Sequence, residues 1–539
     1  MKTLVTCEES GALDSTTKAI LALSSLQLME KASLRIWDKL AAIIAARPEL
    51  RGKGKNIRIV ALCGKGDNGG DALAILRHAF SAGYRNLEAL VSDRELSESA
   101  KKQWESVIAS GMTATRWIEP ENSGKNLGLE PDPLLSQADI VIDGILGTGL
   151  KGPASGEAKA MIERLNTLKE GGAAALVVSV DLPSGLGDGW HKEHPCVIAD
   201  ITLGLEPVKA VCYLPGSRLS CGDLVAVSDV FPENLIQEHG DTTLIEDQDL
   251  GLFIPRIEND GYKMSRGRLA VFAGSIGAIG AAQLCAKAAL ASGAGYVTLY
   301  VDEAVYPVIA PTLESVVVKP LSEKMDMEKC DSILAGPGWG QQEDRLKTLK
   351  LLLGLDIPLI LDADAIRILA SHTELLSDAK APCIVTPHSG EYAGLAESLH
   401  VSPETAVWAS MRKVCEGLGM ITVMKSHTTW ILSPRRKTAV YEGLTPELGT
   451  AGTGDVLAGI LVGIAAGKIA QMKRSGKGES RDRETVWKAL EDSASCAVIA
   501  HGRAGKRLAQ RRGWFESSDL VTECSLVLHE EAERARARP

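Results

Sequence analysis

Several glycine- and carboxylate-rich turns stand where short apolar runs end, and each is equipped for anion binding or proton transfer. At residues 64–71 the sequence GKGDNGGD follows IRIVALC and opens a helical stretch. Free backbone N–H groups at a helix N-terminus then lie beside flexible glycines, which makes an anion site. Gly64, Gly66 and Gly69 satisfy GxGxxG, and Asp93 follows the next apolar run, where the ribose-binding acid of a dehydrogenase would stand. A P-loop is excluded, because Gly70 and Asp71 occupy the places of its Lys and Ser or Thr. Asp67 and Asp71 also flank the turn and repel a pyrophosphate, which weakens the dehydrogenase reading. Glycines that serve only a tight turn are the structural alternative.

Two further run ends carry oxygen ligands. Asp143 closes ADIVID before GILGTGLKGPASGE, and Asp181 closes ALVVSVD before LPSG, which contains Ser184. In a parallel sheet the carboxyl ends of strands share one edge, so Asn68, Asp143, Asp181 and Ser184 converge. Their oxygens suit a hard cation such as K⁺, and a remaining carboxylate can move a proton. An isolated Asp in such a place is more often a cap. In the second half GTAGTGDVLAGILVGIAAG at 449–467 delivers Asp455 to the start of a long apolar helix. The N–H groups of Gly452, Thr453 and Gly454 can hold phosphoryl oxygens while Asp455 takes a hydroxyl proton, the alternative being a capped buried helix. Four other turns accompany it: GSIGAIGAA (274–282), AGPGWG (335–340), LDADA (361–365) and TPHSGE (386–391).

The elements that must position these turns are strands alternating with helices. IRIVALCG, LEALVSD, ADIVIDGILG and AAALVVSVD alternate with Ala-rich helical stretches, and residues 15–46 read as one or two amphipathic helices before them. A second series runs through RLAVFAGS, YVTLYV, DSILAGPG, IPLILDADA, PCIVTPHSGE and ITVMKS. A chain of 539 residues, 45% hydrophobic, is too long for one core. The expected fold class is α/β in two domains, each a mostly parallel sheet covered by helices on both faces. The expected spans are 1–235 and 261–539, joined by a linker at 236–260 where Pro, Gly and polar residues break the periodicity.

Composition narrows the function. The net charge of −10 is scattered and aromatics are 4%, which argues against a nucleic-acid partner. Residues 530–538 form the one charge run, read as a solvated helix end. Met1–Ser10 lacks a secretory pattern, and the apolar stretch Val456–Gly467 is shorter than a bilayer requires, so a cytoplasmic protein with no membrane partner is expected. The 11 cysteines form no CxxC pair and read as reduced, buried hydrophobes.

GDNGGDA, IDGILGTGL, DLPSGL and EPVKAVCYLPGSRLSCGDL together resemble the NAD(P)H-hydrate epimerase domain over roughly residues 15–230. The resemblance implies substrate contacts at Asp67, Asn68, Gly69, Gly70, Asp71, Gly147, Thr148, Gly149, Leu150, Lys151, Gly152, Pro153 and Asp181. It implies K⁺ ligands at Asn68, Asp143 and Ser184. Lys209 matches the lysine of the family's PK segment, and with Asp143 it forms either an acid–base pair or a structural ion pair. Asp67, Gly144 and GLGDGWHKEHP depart from the family pattern.

YKMSRGRLAVFAGSIGAIGAA, SILAGPGWG, PLILDADA, VTPHSGE, VMKSHTTW, TAGTGDVLAGIL and AHGRAGKRLA…SDLV resemble the ADP- or ATP-dependent NAD(P)H-hydrate dehydratases across nearly all of 260–530. That resemblance implies a Rossmann-like three-layer sandwich followed by a ribokinase-like one. The hydrated dinucleotide is expected at Ala281, Gly338, His388 and Asp455, with Asp455 as the catalytic base of this half, as Asp143 and Lys209 are the expected catalytic residues of the first half. The nucleotide is expected at Lys425, Ser426, His427, Thr428, Thr429 and Gly454. Ser426, His427 and Glu447 depart from the family pattern. The implied partners are NADHX, NADPHX and ADP, the nucleotide that bacterial members typically use, with Mg²⁺ on its phosphates; a homo-oligomer is compatible with all of this. A ribokinase-type small-molecule kinase and a nucleotide-binding regulator with one inactive half are the alternatives.

Overall fold

The computed structural model describes residues 1–117, 133–172, 174–256, 260–323, 325–474 and 483–537. The chain divides into two compact units, one formed by Lys2–Thr242 with Glu404–Ala409, the other by Met1, Thr243–Pro403 and Ser410–Pro539.

The first unit is built on a seven-stranded parallel sheet. Its strands in chain order are Ile59–Cys63, Leu87–Val91, Thr113–Arg116, Ile140–Gly144, Leu176–Val180, Ile201–Leu205 and Asp223–Val227, and their spatial order is 3-2-1-4-5-6-7. That order reverses direction between Ile59–Cys63 and Ile140–Gly144, where α/β sheets open a ligand crevice at the strands' carboxyl ends. Because side chains alternate along a strand, Ile59, Ala61 and Cys63 pack with Leu28, Ile36, Leu73 and Val107 on one face. Val60, Leu62 and Val141 pack with Met161, Ile162 and Leu165 on the other, which makes three layers. Residues 15–46 hold parts of two helices, Cys7–Leu21 and Ser25–Ala46, divided by a left-handed Ala22 and the Ser24 cap.

The second unit carries a sheet ordered Thr242–Ile245, Thr438–Glu442, Thr428–Leu432, Ile421–Met424, Cys383–Val385, Leu359–Leu361, Ser332–Ala335, Arg268–Phe272, Tyr296–Val301 and Val317–Pro320. Pairing is parallel from Val317–Pro320 to Ile421–Met424, and antiparallel through the Thr428–Leu432 and Thr438–Glu442 strands. One face packs against Ile279–Ala291, Thr453–Arg474 and Arg483–Arg512, the other against Glu343–Leu353 and Ala363–Ser371.

Two expectations change and a third holds. The 236–260 segment is not an irregular linker. It contains parts of the helix Glu233–His239, the strand Thr242–Ile245 and the helix Leu250–Phe253, all too short to show a period; residues 257–259 lie outside the described residues. The apolar helix is longer than Val456–Gly467. It runs Thr453–Arg474, and by length and composition it could cross a bilayer, but its most apolar window is 83% buried inside the unit as a core helix. The terminal charge run is a solvated helix end as expected, with Glu533, Arg534 and Arg536 exposed on the helix Ser517–Ala537, although Glu531 is buried against Arg503; Arg538 is outside the described residues.

Candidate functional site

The 64–71 turn rests on two glycines that side chains could not replace. A Cβ on Gly64 would stand 1.8 Å from the Ile145 carbonyl oxygen, and one on Gly69 would stand 2.0 Å from that of Gly64. The helix Asp67–Ser81 therefore begins pressed against the strand it follows, with Gly66 as its N-cap. Gly69→Ala should cost about 1–3 kcal/mol as an overpacking change. Thermal unfolding checks this, and an unchanged melting temperature would mean that the turn yields without strain.

The turn opens into a cavity of about 860 Å³ at the carboxyl edge of the sheet. Asp67, Asn68, Asp71, Gly147–Lys151, Pro153, Asp181 and Lys209 line it, and Lys65, Arg94 and Lys151 supply cations beside those carboxylates. Gly69, Gly70 and Gly152 do not line it. A Cβ on Gly70 would meet Met29 at 2.7 Å, so Gly69 and Gly70 serve packing rather than direct contact. Asp93 is also outside the lining. It is exposed, and its N–H donates to Glu157 Oε1 at 2.7 Å, so the dehydrogenase reading loses its ribose acid.

Lys209 does not pair with Asp143. Its Nζ bonds Asp181 Oδ1 at 2.6 Å in an almost fully buried ion pair, and the same oxygen accepts the Leu205 N–H at 3.0 Å. Asp181 holds a left-handed φ of 68°, strain that places its carboxylate over the lysine. Asp143 lies behind the cavity at 0% exposure, accepting from Ser179 Oγ at 2.7 Å and from the N–H and hydroxyl of Ser184. Burial raises its pKa against these hydrogen bonds, and its position makes it an anchor of loops rather than a group facing substrate. Ser184 Oγ accepts from Leu146 N at 2.8 Å, and Leu146 O accepts from Asn68 Nδ2 at 2.8 Å, so Asn68, Asp143 and Ser184 do converge around Leu146. Of these three only Asn68 lines the cavity.

In the second unit the GTAGTGD turn is held from below. His501 Nε2 donates to the Thr453 carbonyl at 2.9 Å, Ser517 Oγ to that of Ala451 at 2.7 Å, and Thr453 Oγ to that of Leu448 at 2.8 Å. Burial lowers the His501 pKa to about 4, so the ring is neutral and acts as a fixed donor. Asp455 begins the helix with its pKa raised to about 6, first by burial and then by the charge of Asp362, with Lys425 opposing. Lys425 Nζ bonds Asp362 Oδ1 at 2.7 Å, which also accepts from Thr386 Oγ at 2.7 Å. Burial disfavours the Lys425 ammonium, yet Asp362 and the more distant Glu391 and Asp455 hold its pKa above the ordinary lysine value. The turn from Lys425 into the strand Thr428–Leu432 lies beside the TPHSGE loop, joined through the Lys425 N–H to Pro387 carbonyl bond at 2.8 Å.

Other expected residues separate into those at this edge and those that serve the frame. Gly338 adopts a φ of 54°, and a Cβ there would meet Ala278 at 2.6 Å and Ala281 at 3.0 Å, so Gly338 and Ala281 adjoin. Ser426 Oγ bonds His427 Nδ1 at 3.1 Å, Thr429 Oγ donates to the Ser426 carbonyl, and Gly454 stands next to Lys425 Nζ. Thr428 is fully buried in its strand, so a nucleotide there would meet its backbone rather than its side chain. His388 is a helix cap, its Nδ1 accepting from the N–H groups of Gly390 and Glu391. Asp362, His501 and Ser517 escaped the sequence reading. The LDADA motif pointed toward Asp362 and the AHGRAGKRLA phrase contained His501 without marking its role, whereas Ser517 comes from a distant helix.

Comparison with known proteins agrees with both halves. A family model described as YjeF-related protein N-terminus matches residues 25–211, and one described as NAD(P)H-hydrate dehydratase matches residues 269–525. Fold and sites therefore define a two-domain α/β enzyme, a Rossmann-like unit followed by an α/β unit of the NAD(P)H-hydrate dehydratase family. The bifunctional NAD(P)H-hydrate repair enzyme Nnr of Moorella thermoacetica is 30% identical over 531 residues, covering 95% of this chain and 93% of that protein. The enzyme of the same name from Thermofilum pendens is 30% identical over 472 residues, covering 84% and 83%. The chain belongs to the family of bifunctional NAD(P)H-hydrate repair enzymes.

Proposed function

We propose that this chain repairs hydrated nicotinamide dinucleotides in two steps. The first unit interconverts the R and S forms of NADHX and NADPHX, and the second dehydrates the S form to NADH or NADPH at the expense of ADP, giving AMP and phosphate. The observation that carries this reading is the pairing of two separate cores, each bearing its own proton-transfer residues at the carboxyl edge of a parallel sheet. In the second unit the Gly452–Gly454 turn would hold phosphoryl oxygens, Lys425 would pair with them as a compact cation, and Asp455 would take the ring hydroxyl proton.

Two ions belong to the proposal. Around Leu146 stand a carboxylate, a hydroxyl, a carbonyl and an amide, a hard-donor set with one negative charge that fits K⁺. Asn68, Asp143 and Ser184 would hold it, and it would supply fixed positive charge beside the anion turn. Among the described residues no group of three or more His, Cys, Asp or Glu side chains is placed to hold a metal. Mg²⁺ would accordingly arrive with the nucleotide phosphates, completing its shell with them and one or two carboxylates. Asp362, Glu391 and Asp455 all act on Lys425, and with Asp455 kept as base, Asp362 or Glu391 would supply that carboxylate. A cytoplasmic location completes the reading, which is compatible with a homo-oligomer.

The test uses the whole chain with a mixture of R and S NADHX. With ADP and Mg²⁺ the NADH absorbance should recover completely, and with ADP withheld the two epimers should equilibrate without NADH appearing. Recovery that stops at the S fraction would remove the epimerase half. Phosphorylation of a small alcohol with no NADH recovered would favour the kinase alternative.

A further inference from the structure

The cavity of the first unit holds more carboxylates than its buried lysine can neutralise. Lys209 is committed to Asp181 at 2.6 Å. Asp71, one helical turn into Asp67–Ser81, lines the same cavity without an ion pair, and its Oδ1 is shut from solvent with no hydrogen-bond partner. A buried carboxylate oxygen with no donor is among the costlier states in a protein, and a proton relieves it. We infer that Asp71 carries a proton and is the acid that expels the ring hydroxyl during epimerisation, with Asp181, held by Lys209, as the base that receives the returning water's proton.

This rests on the epimerase reading of the first unit and adds the groups that move protons. The hydrated ring bears its hydroxyl on a carbon next to the ring nitrogen. Transfer of the Asp71 proton to that hydroxyl breaks the C–O bond and releases water, while the nitrogen lone pair forms a C=N bond and the ring becomes cationic. Water then adds to the other face. The new C–O bond forms, the C=N pair returns to nitrogen, and the surplus proton passes to the Asp181 carboxylate. Exchange through solvent returns it to Asp71, so no oxidant, reductant or nucleotide is consumed. A carboxyl that carries a proton beside a carboxylate held by a cation is a usual arrangement for such paired work. The groups facing Asp71 agree: burial, then the charges of Asp181, Asp67 and Asp14, push its pKa well above the carboxyl range against the opposing charge of Lys209, with Lys65, Arg94 and Lys151 also lining the cavity.

The experiment follows the approach of pure R-NADPHX to the epimer mixture, without ADP, over a range of pH. The wild-type rate should fall as pH rises through the Asp71 titration. Asp71→Asn should lower the enzymatic rate about 10²-fold or more and abolish that alkaline limb, while Asp71→Glu, which restores a titrating acid, should recover part of it. Dehydration of S-NADPHX by the same variant should be unchanged, since it belongs to the second unit, and folding of the first unit is read from its melting. The melting temperature should not drop. The folded state binds the Asp71 proton more tightly than the unfolded state does, so wild type loses stability as pH rises above the ordinary carboxyl range, and the amide removes that loss. An Asn variant within about threefold of wild type, or one that keeps the alkaline limb, overturns the role of Asp71 alone. A wild-type chain that does not speed epimerisation overturns the epimerase reading along with it.

Discussion

Asp455→Asn is expected to lower dehydratase turnover about 10²- to 10⁴-fold, the usual worth of a positioned general base, while epimerisation continues unchanged. The carboxylate stands in the first turn of the helix Thr453–Arg474, on a loop clamped by His501 and Ser517, so an isosteric amide leaves the frame in place. Nucleotide affinity should therefore move little, because Lys425 and the backbone of the turn are untouched. The pH profile separates the base from a mere cap. Burial and Asp362 raise the Asp455 pKa to about 6, so wild-type kcat/KM should fall as pH drops below about 6 and the carboxylate takes up its proton. The Asn variant should lose that limb along with the activity. Stability should move the other way. A raised folded-state pKa means that wild type loses stability as pH climbs from the ordinary carboxyl range toward 6, and Asp455→Asn is spared that loss. Steady-state kinetics and melting curves across pH 5 to 8 read both effects. Turnover within a few-fold of wild type would reduce Asp455 to a helix-start residue.

Lys209→Met should destabilise the first unit by about 3–5 kcal/mol, the typical penalty for breaking a buried pair from one side. The lysine is 2% exposed and its partner Asp181 sits on strained backbone, so removing the cation leaves a buried carboxylate held by the Leu205 N–H. Epimerase activity should disappear with it. The double variant Lys209→Met with Asp181→Asn should regain much of the stability but none of the activity, since both sides of the pair are then neutral. Denaturant unfolding of the two singles and the double gives the coupling energy, and a coupling near zero would show that solvent already screens the pair.

Local signals in the chain carried much of this architecture. Strands such as Ile59–Cys63 and Ile140–Gly144 are buried on both faces, and an uninterrupted apolar run records that directly. Glycines at 64 and 69 and the GTGD turn at 452–455 are legible for the same reason, because a backbone pressed against backbone excludes every other residue. Short elements were not legible. The strand Thr242–Ile245 has four residues and no period to detect, and the Ser24 cap dividing the two N-terminal helices is a single polar residue inside an amphipathic pattern.

The amino-acid sequence alone determined the class of fold, the edges of the sheets where chemistry could sit, and the family that those turns resemble. It could not decide partners. Lys209 was as consistent with Asp143 as with Asp181, and only the tertiary structure, by sealing Asp143 behind Ser179 and Ser184 and swinging Asp181 into a left-handed φ, assigned the lysine. Asp71 and Asp67 look alike as letters four apart. One ends with an oxygen buried and unpartnered, while the other accepts from Ser97 Oγ at 2.9 Å. Periodicity reports which face of an element is apolar, a property of neighbours along the chain. Protonation and pairing depend on charges and solvent within a few ångströms, and those neighbours come from strands and loops tens to hundreds of residues away.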